Sequence, residues 1–228
     1  RKAAVEAYER SLRVTPERSV ILLRLAELHH AAGDAAARAA ALERFVRGAR
    51  ERRGARRKVA GIYAESGDFD LALAQLRQAE TLGPKDPGLE LERARILEQA
   101  RRPQEEEQAW RAYVAAAPDA TGAAREVALR YRERGDTDRA LAFVERGLEA
   151  SAARPERQEL LLLALDLERL RGDPEGLQRA VARLGGEARG PAEEAELLRK
   201  ALRTLEPAQD PRLELQVLER LVELLPRD

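Results

Sequence analysis

The chain has 228 residues and balances 41 Lys and Arg against 41 Asp and Glu, so its zero net charge argues against a nucleic-acid partner. It contains no cysteine, which excludes disulfides and thiolate metal sites, and no apolar run approaches the roughly 20 residues of a transmembrane segment. Apolar residues make up 44% but aromatics only 4%, so Leu and Ala supply most of any core, and both favour helix.

Charge is spread unevenly. Residues 1–60 hold 15 Lys and Arg against 7 Asp and Glu, an excess the remainder cancels. Arginine outnumbers lysine 37 to 4, which points to a GC-rich bacterial genome, and a chain without methionine is expected to be a piece of a longer protein.

In chain order, residues 2–15 (with AVEAYERSLRVTP) predict a lone helix. From residue 19 to 154 a 34-residue beat runs without insertion or deletion. Gly33, Gly67 and Gly135 share one lattice point with Arg101 as the exception. Asp34, Asp68 and Asp136 follow them, with Arg102 as the exception. Ala26, Ala60, Ala94 and Ala128 form another point, Pro16, Pro84 and Pro118 a third, and Tyr8, Leu42, Leu76, Trp110 and Val144 a bulky one. Glycine ends a helix in the left-handed conformation and the next Asp caps its successor. Alanine lets helices approach closely, and proline stops the second helix of each pair. Self-similarity at this period predicts stacked helix pairs.

Two lattice points depart. Arg38 and Glu106 stand where small residues recur, and slightly altered packing is expected there; Pro103 is expected to open the second helix of its repeat. Beyond residue 154 the beat lengthens to 37 residues, through Gly172–Asp173 and Gln209–Asp210. Helical pairs are predicted at 155–190 and 191–228, divided by the glycine-rich stretch 185–191, with Pro155 and Pro191 in first turns. Around 211–225, Leu213, Val217, Leu218, Leu221, Val222, Leu224 and Leu225 form an apolar surface too wide for one neighbour. Further repeats or a docked partner are expected beyond it.

These lattice residues, and the segment SGDFDLALAQLRQAETLGP above all, resemble the tetratricopeptide repeat. The resemblance implies an all-α, right-handed α-α superhelix of about six helix pairs in a single solenoid. It places a half repeat at 2–15, repeats at 19–52, 53–86, 87–120 and 121–154, and divergent pairs after them.

Candidate chemistry is sparse. His29 and His30 are the only imidazoles, and adjacent helical residues point about 100° apart, which suits no shared metal. His29 falls on the packing lattice of Tyr63, Leu97 and Tyr131; His30 points toward the groove. Acidic runs such as Glu105–Glu107 and Glu193–Glu194 suit helix starts, and no phosphate loop, catalytic triad or metal spacing is present. No catalysis and no cofactor are expected. The core lattice absorbs nearly all the aromatics, which leaves no stacking platform for bases or sugar rings.

What remains is surface. In the resembled family the first helix of each pair lines a concave groove, which here implies Arg57, Arg95, Glu98, Arg125, Leu129 and Arg132, together with Leu23, Glu27, His30 and Glu65. Its chaperone-binding subclass clamps a terminal carboxylate with Lys and Asn. Glu27, Gly61, Arg95 and Leu129 stand where that Asn recurs, so such a clamp is not expected. A second candidate is the basic patch of Arg47, Arg50, Arg52, Arg53, Arg56, Arg57 and Lys58, suited to an acidic protein surface or anionic headgroups. The expected partner is another protein or peptide. An Arg-rich, cysteine-free array also resembles the periplasmic repeats of outer-membrane exopolysaccharide exporters of the Pel and cellulose type, which implies a periplasmic scaffold recruiting a polysaccharide-modifying enzyme.

Overall fold

A helix ended by one residue at positive φ reverses the chain within a few residues, and this chain uses that device repeatedly. The computed structural model describes residues 2–15, 18–205 and 211–224, so Pro16, the Gln209–Asp210 turn and Leu225 lie outside the described residues. Gly33, Gly67, Gly135 and Gly172 adopt φ between 71° and 78°. At each, the amide after the glycine donates to the carbonyl five residues back: Asp34 to His29 (2.9 Å), Asp68 to Tyr63 (2.9 Å), Asp136 to Tyr131 (2.9 Å) and Asp173 to Glu168 (3.2 Å). This closure satisfies carbonyls that a helix end leaves unpaired.

Arg101 builds the same turn without glycine. It sits at φ 56°, a conformation costing a side-chain-bearing residue roughly 1–2 kcal/mol, and the Arg102 amide still reaches the Leu97 carbonyl at 3.0 Å. Pro103 opens the next helix as expected.

Among the described residues the fold is all-α, with thirteen helices and no strand. Two compact units, Arg1–Tyr113 and Val114–Asp228, make up the chain. The first holds α1 (Lys2–Val14), α2 (Ser19–Ala31), α3 (Ala35–Gly48), α4 (Arg52–Glu65), α5 (Phe69–Glu80) and α6 (Pro87–Gln99). The boundary falls inside α7 (Pro103–Ala116). The second holds α8 (Ala120–Glu133), α9 (Thr137–Ala150), α10 (Arg154–Arg171), α11 (Pro174–Gly186), α12 (Pro191–Leu205) and α13 (Pro211–Leu224). Consecutive helices pack as pairs: α2 with α3 and α4 with α5 in the first unit, α8 with α9, α10 with α11 and α12 with α13 in the second.

The first lengthened interval, from Gly135 to Gly172, is absorbed by one element. α10 runs 18 residues where α8 runs 14, and Gly172 then closes the usual turn. The glycine-rich stretch is shorter than expected as a divider, because Gly185 and Gly186 still belong to α11. Pro155 and Pro191 do lie in first turns.

Burial follows the lattice. Ala26, Ala60, Ala94 and Ala128 are buried, as are Leu42, Leu76, Trp110 and Val144. Tyr63, Leu97 and Tyr131 are buried on their shared point, but His29 is only half-buried there. Phe143, which falls on no lattice point, is buried and stacks on Tyr131 with centroids 5.6 Å apart.

The two charged departures are internal. Glu106 is 4% exposed and accepts the Trp110 indole N–H at 3.0 Å. Arg38 is 5% exposed and ties α3 to the next pair. It donates to Asp68 (2.5 Å), the Ser66 hydroxyl (2.7 Å) and the Ile62 carbonyl (3.2 Å), while its guanidinium lies 4.8 Å from the Tyr63 ring centroid. Asp34 and Asp136 accept amides of α3 and α9, whereas the Asp68 side chain, paired with Arg38, makes no cap bond to α5.

Two expectations follow. Arg38→Ala lowers unfolding stability by about 2 kcal/mol, and Arg38→Lys recovers less than half, because one ammonium cannot span three acceptors and a ring face; urea denaturation checks both. A Cβ at Gly147 of α9 would meet Leu160 Cδ1 at 2.9 Å and Ala124 Cβ at 3.2 Å, whereas one at Gly61 of α4 meets nothing within 4 Å. Gly147→Ala is therefore expected to cost about 1–3 kcal/mol and Gly61→Ala to gain about 0.5–1 kcal/mol, measured the same way.

Candidate functional site

The first helix of each pair presents a polar face, and its charges are largely answered by the neighbouring repeat. In the first unit, Arg57 on α4 donates to Glu92 on α6 at 2.6 and 3.0 Å and lies 3.3 Å from Asp86. These hydrogen bonds hold its pKa above the ordinary arginine value, with the Glu92 bond the largest cause. In the second unit, Arg132 on α8 meets Asp166 on α10 at 2.6 Å, and Arg125 lies 3.6 Å from Glu159. Farther along, Gln158 on α10 donates to Glu193 on α12 at 3.0 Å. The Arg189 backbone amide and that Gln158 bond pull the Glu193 carboxyl below its usual range.

The sequence-predicted groove residues therefore differ in kind. Arg95 is exposed, with no carboxylate against it among the described residues, and Arg125 is exposed in a long, loose pair. Arg57 and Arg132 are committed to Glu92 and Asp166. Glu98 and Leu129 are half-buried. Arg57, Arg95 and Glu98 belong to the first unit, and Arg125, Leu129 and Arg132 to the second.

Within the first unit the first-helix face is recessed. A cavity of about 440 Å³ lies among α2, α3 and α4. Leu23, Ala26 and Ile62 supply apolar wall, and Glu27, His30, Arg38, Lys58, Glu65 and Ser66 add polar groups. Gly61 also lines it. The equivalent residues are Glu27 and Arg95 one period away and Leu129 two periods away, so a missing side chain opens this space. A mid-helix glycine costs stability, and here no close contact requires it.

The basic patch is sorted by the fold. Arg53 donates to the Pro84 carbonyl at 2.6 Å, Arg56 grips Glu43 at 2.6 and 3.0 Å and Gln75 at 2.9 Å, and the Lys58 ammonium lies 5.8 Å from the Phe45 ring centroid. Arg47, Arg50 and Arg52 are exposed, with no ion pair among the described residues.

Sequence reasoning missed the partners of these arginines, although a signal was present. Arg57 and Glu92, Arg125 and Glu159, and Arg132 and Asp166 stand 34 or 35 residues apart, one repeat each. His30 is exposed beside the recess, and no group of His, Asp and Glu suited to a metal occurs among the described residues. None of the eight aromatic side chains is exposed, and no helix among the described residues is long and apolar enough to cross a membrane.

No protein-family model matches the chain, and no match emerges among curated proteins. Solved structures do resemble it. A complex described as Naa15/Naa10 bound to HypK-THB is 17% identical with a TM-score of 0.50, over 98% of this chain and 36% of the other. A tetratricopeptide repeat protein from Parabacteroides merdae is 14% identical with a TM-score of 0.44, over 92% of this chain and 80% of the other. YrrB, titled a TPR protein with an unusual peptide-binding site, is 15% identical with a TM-score of 0.42, over 94% and 99%. The recurrent turn and the paired helices are those of the tetratricopeptide-repeat fold.

Proposed function

We propose that the chain is a non-catalytic scaffold that binds a partner protein or peptide through the first-helix face of its repeats. The observation that carries this reading is the recess among α2, α3 and α4, open at Gly61, with apolar walls and unlike charges around it. A preformed surface binds without first ordering itself, which preserves affinity. Buried apolar contact supplies the energy, and the surrounding charges select the partner. Exposed Arg95 and Arg125 add cations able to form bidentate bonds with carboxylates, each on its own unit.

A narrower version makes this a periplasmic array of an exopolysaccharide exporter that recruits a polymer-modifying enzyme. It draws on composition alone, with 37 arginines and no cysteine.

The scaffold reading predicts that Gly61→Leu, Arg95→Glu and Arg125→Glu each weaken binding about tenfold with no loss of melting temperature. The assay titrates the partner recovered by affinity purification with the whole chain, and undiminished affinity in all three variants removes the first-helix face from the account. The narrower version predicts capture of a polysaccharide deacetylase or hydrolase encoded beside this chain. Failure of capture by an array shown to be helical by circular dichroism ends that version and leaves the broader one standing.

A further inference from the structure

Eight cations crowd residues 44–58, and the fold divides them into two groups. Arg53, Arg56 and Arg57 are held by Pro84, Glu43, Gln75, Asp86 and Glu92, and Lys58 lies over Phe45. Arg44, Arg47, Arg50 and Arg52 are exposed and meet no carboxylate among the described residues. The one acid between them is occupied, since the Glu51 carboxylate accepts the backbone N–H groups of Arg53 and Gly54 at the start of α4. Four unneutralised guanidinium groups within nine residues set this edge apart from the first-helix face, where arginines pair one repeat along.

The edge is also shaped. A concavity of about 260 Å³ opens between the end of α3, the start of α4 and the end of α5. Arg47 and Arg52 line it together with Arg56, whose charge Glu43 already answers. Val46, Gln78, Thr81 and Leu82 also line it, as does Glu43, whose carboxylate Arg56 holds, and Leu82 is 48% exposed. An apolar side chain at the rim of a cationic recess suits a ligand carrying carboxylates on both sides of an aliphatic group. Single-stranded nucleic acid would want exposed aromatic faces, and the chain presents none. A bilayer surface is too broad to enter the recess.

We infer that this cradle is a second docking site, separate from the first-helix recess, and that it takes an acidic peptide segment of a partner protein. Its carboxylates meet Arg47, Arg50 and Arg52 as charge-assisted, bidentate pairs, and an aliphatic side chain between them covers Leu82. Long-range attraction from the basic first 60 residues speeds the encounter and weakens with salt.

The test titrates the whole chain with a fluorescein-labelled Glu-Asp-Leu-Asp-Glu peptide by anisotropy and maps the contact by amide shifts in nitrogen–proton spectra. Binding is expected to shift amides of residues 47–54 and 81–82 and to weaken about tenfold in an Arg47→Glu, Arg52→Glu double variant. Arg199→Glu, an exposed arginine of the second unit, should leave it unchanged, a Gln-Asn-Leu-Asn-Gln peptide should not bind, and replacing the peptide's Leu by Ala should weaken it a few-fold. Equal binding by the double variant with its melting temperature retained overturns the proposal, as do shifts confined to other residues. Binding of phosphatidylserine vesicles or poly(U) through Arg47 and Arg52 in place of the peptide also overturns it. Because Arg95 and Arg125 do not line this cradle, its failure leaves the first-helix reading intact.

Discussion

The structure depends on one backbone closure: a residue at positive φ whose successor donates its N–H to the carbonyl five residues back. That bond ends one helix and aims the next, so the pairs α2–α3, α4–α5, α8–α9 and α10–α11 are joined by one turn geometry. Once the crossing is set, the alanines at 26, 60, 94 and 128 are forced into the narrow gap, and Leu42, Leu76, Trp110 and Val144 into the wider one. The closure survives at Arg101, where no glycine relieves the strain, and after α10 has gained length. A turn that tolerates both changes is maintained by the packing on either side of it as well as by the residue that makes it.

Charge does a second structural task. With 36% of residues charged, solvated helices would repel or ignore one another, yet arginines here reach to the next repeat. Arg57 to Glu92, Arg125 to Glu159 and Arg132 to Asp166 run along the first helices, and Arg38 crosses from α3 to the α4–α5 turn. Exposed members of this set contribute little each. Arg38 is different because it is buried with three acceptors, one of them the Asp68 carboxylate. This internal pairing stops around residues 44–52, where Arg44, Arg47, Arg50 and Arg52 are exposed.

Much of the fold was legible in advance, since glycine, proline and alanine report backbone geometry directly. Gly33, Gly67 and Gly135 announced left-handed residues because L side chains avoid that region, and Pro103, Pro155 and Pro191 announced helix starts because a missing N–H is harmless there. The candidate surfaces were less legible. A guanidinium on a flexible stem chooses among acceptors that only folding brings near, so apart from Glu92 one repeat beyond Arg57, nothing distinguished the committed Arg53, Arg56 and Arg57 from the free Arg47, Arg50 and Arg52. Gly61 carried no turn signal, and its meaning as an opening depended on what lay opposite its missing Cβ.

Sequence by itself determined the period, the helical class and the residues at each crossing, because these follow from local propensity and spacing along one chain. Tertiary structure alone decided that Arg38 and Glu106 could be buried with partners, that Gly61 opens a recess while Gly147 is in tight contact, and which arginines remain unpaired. Apart from the Glu106–Trp110 bond within one helix, those outcomes turn on distances between residues some 10 to 40 positions apart, and such distances exist only once the helices have packed.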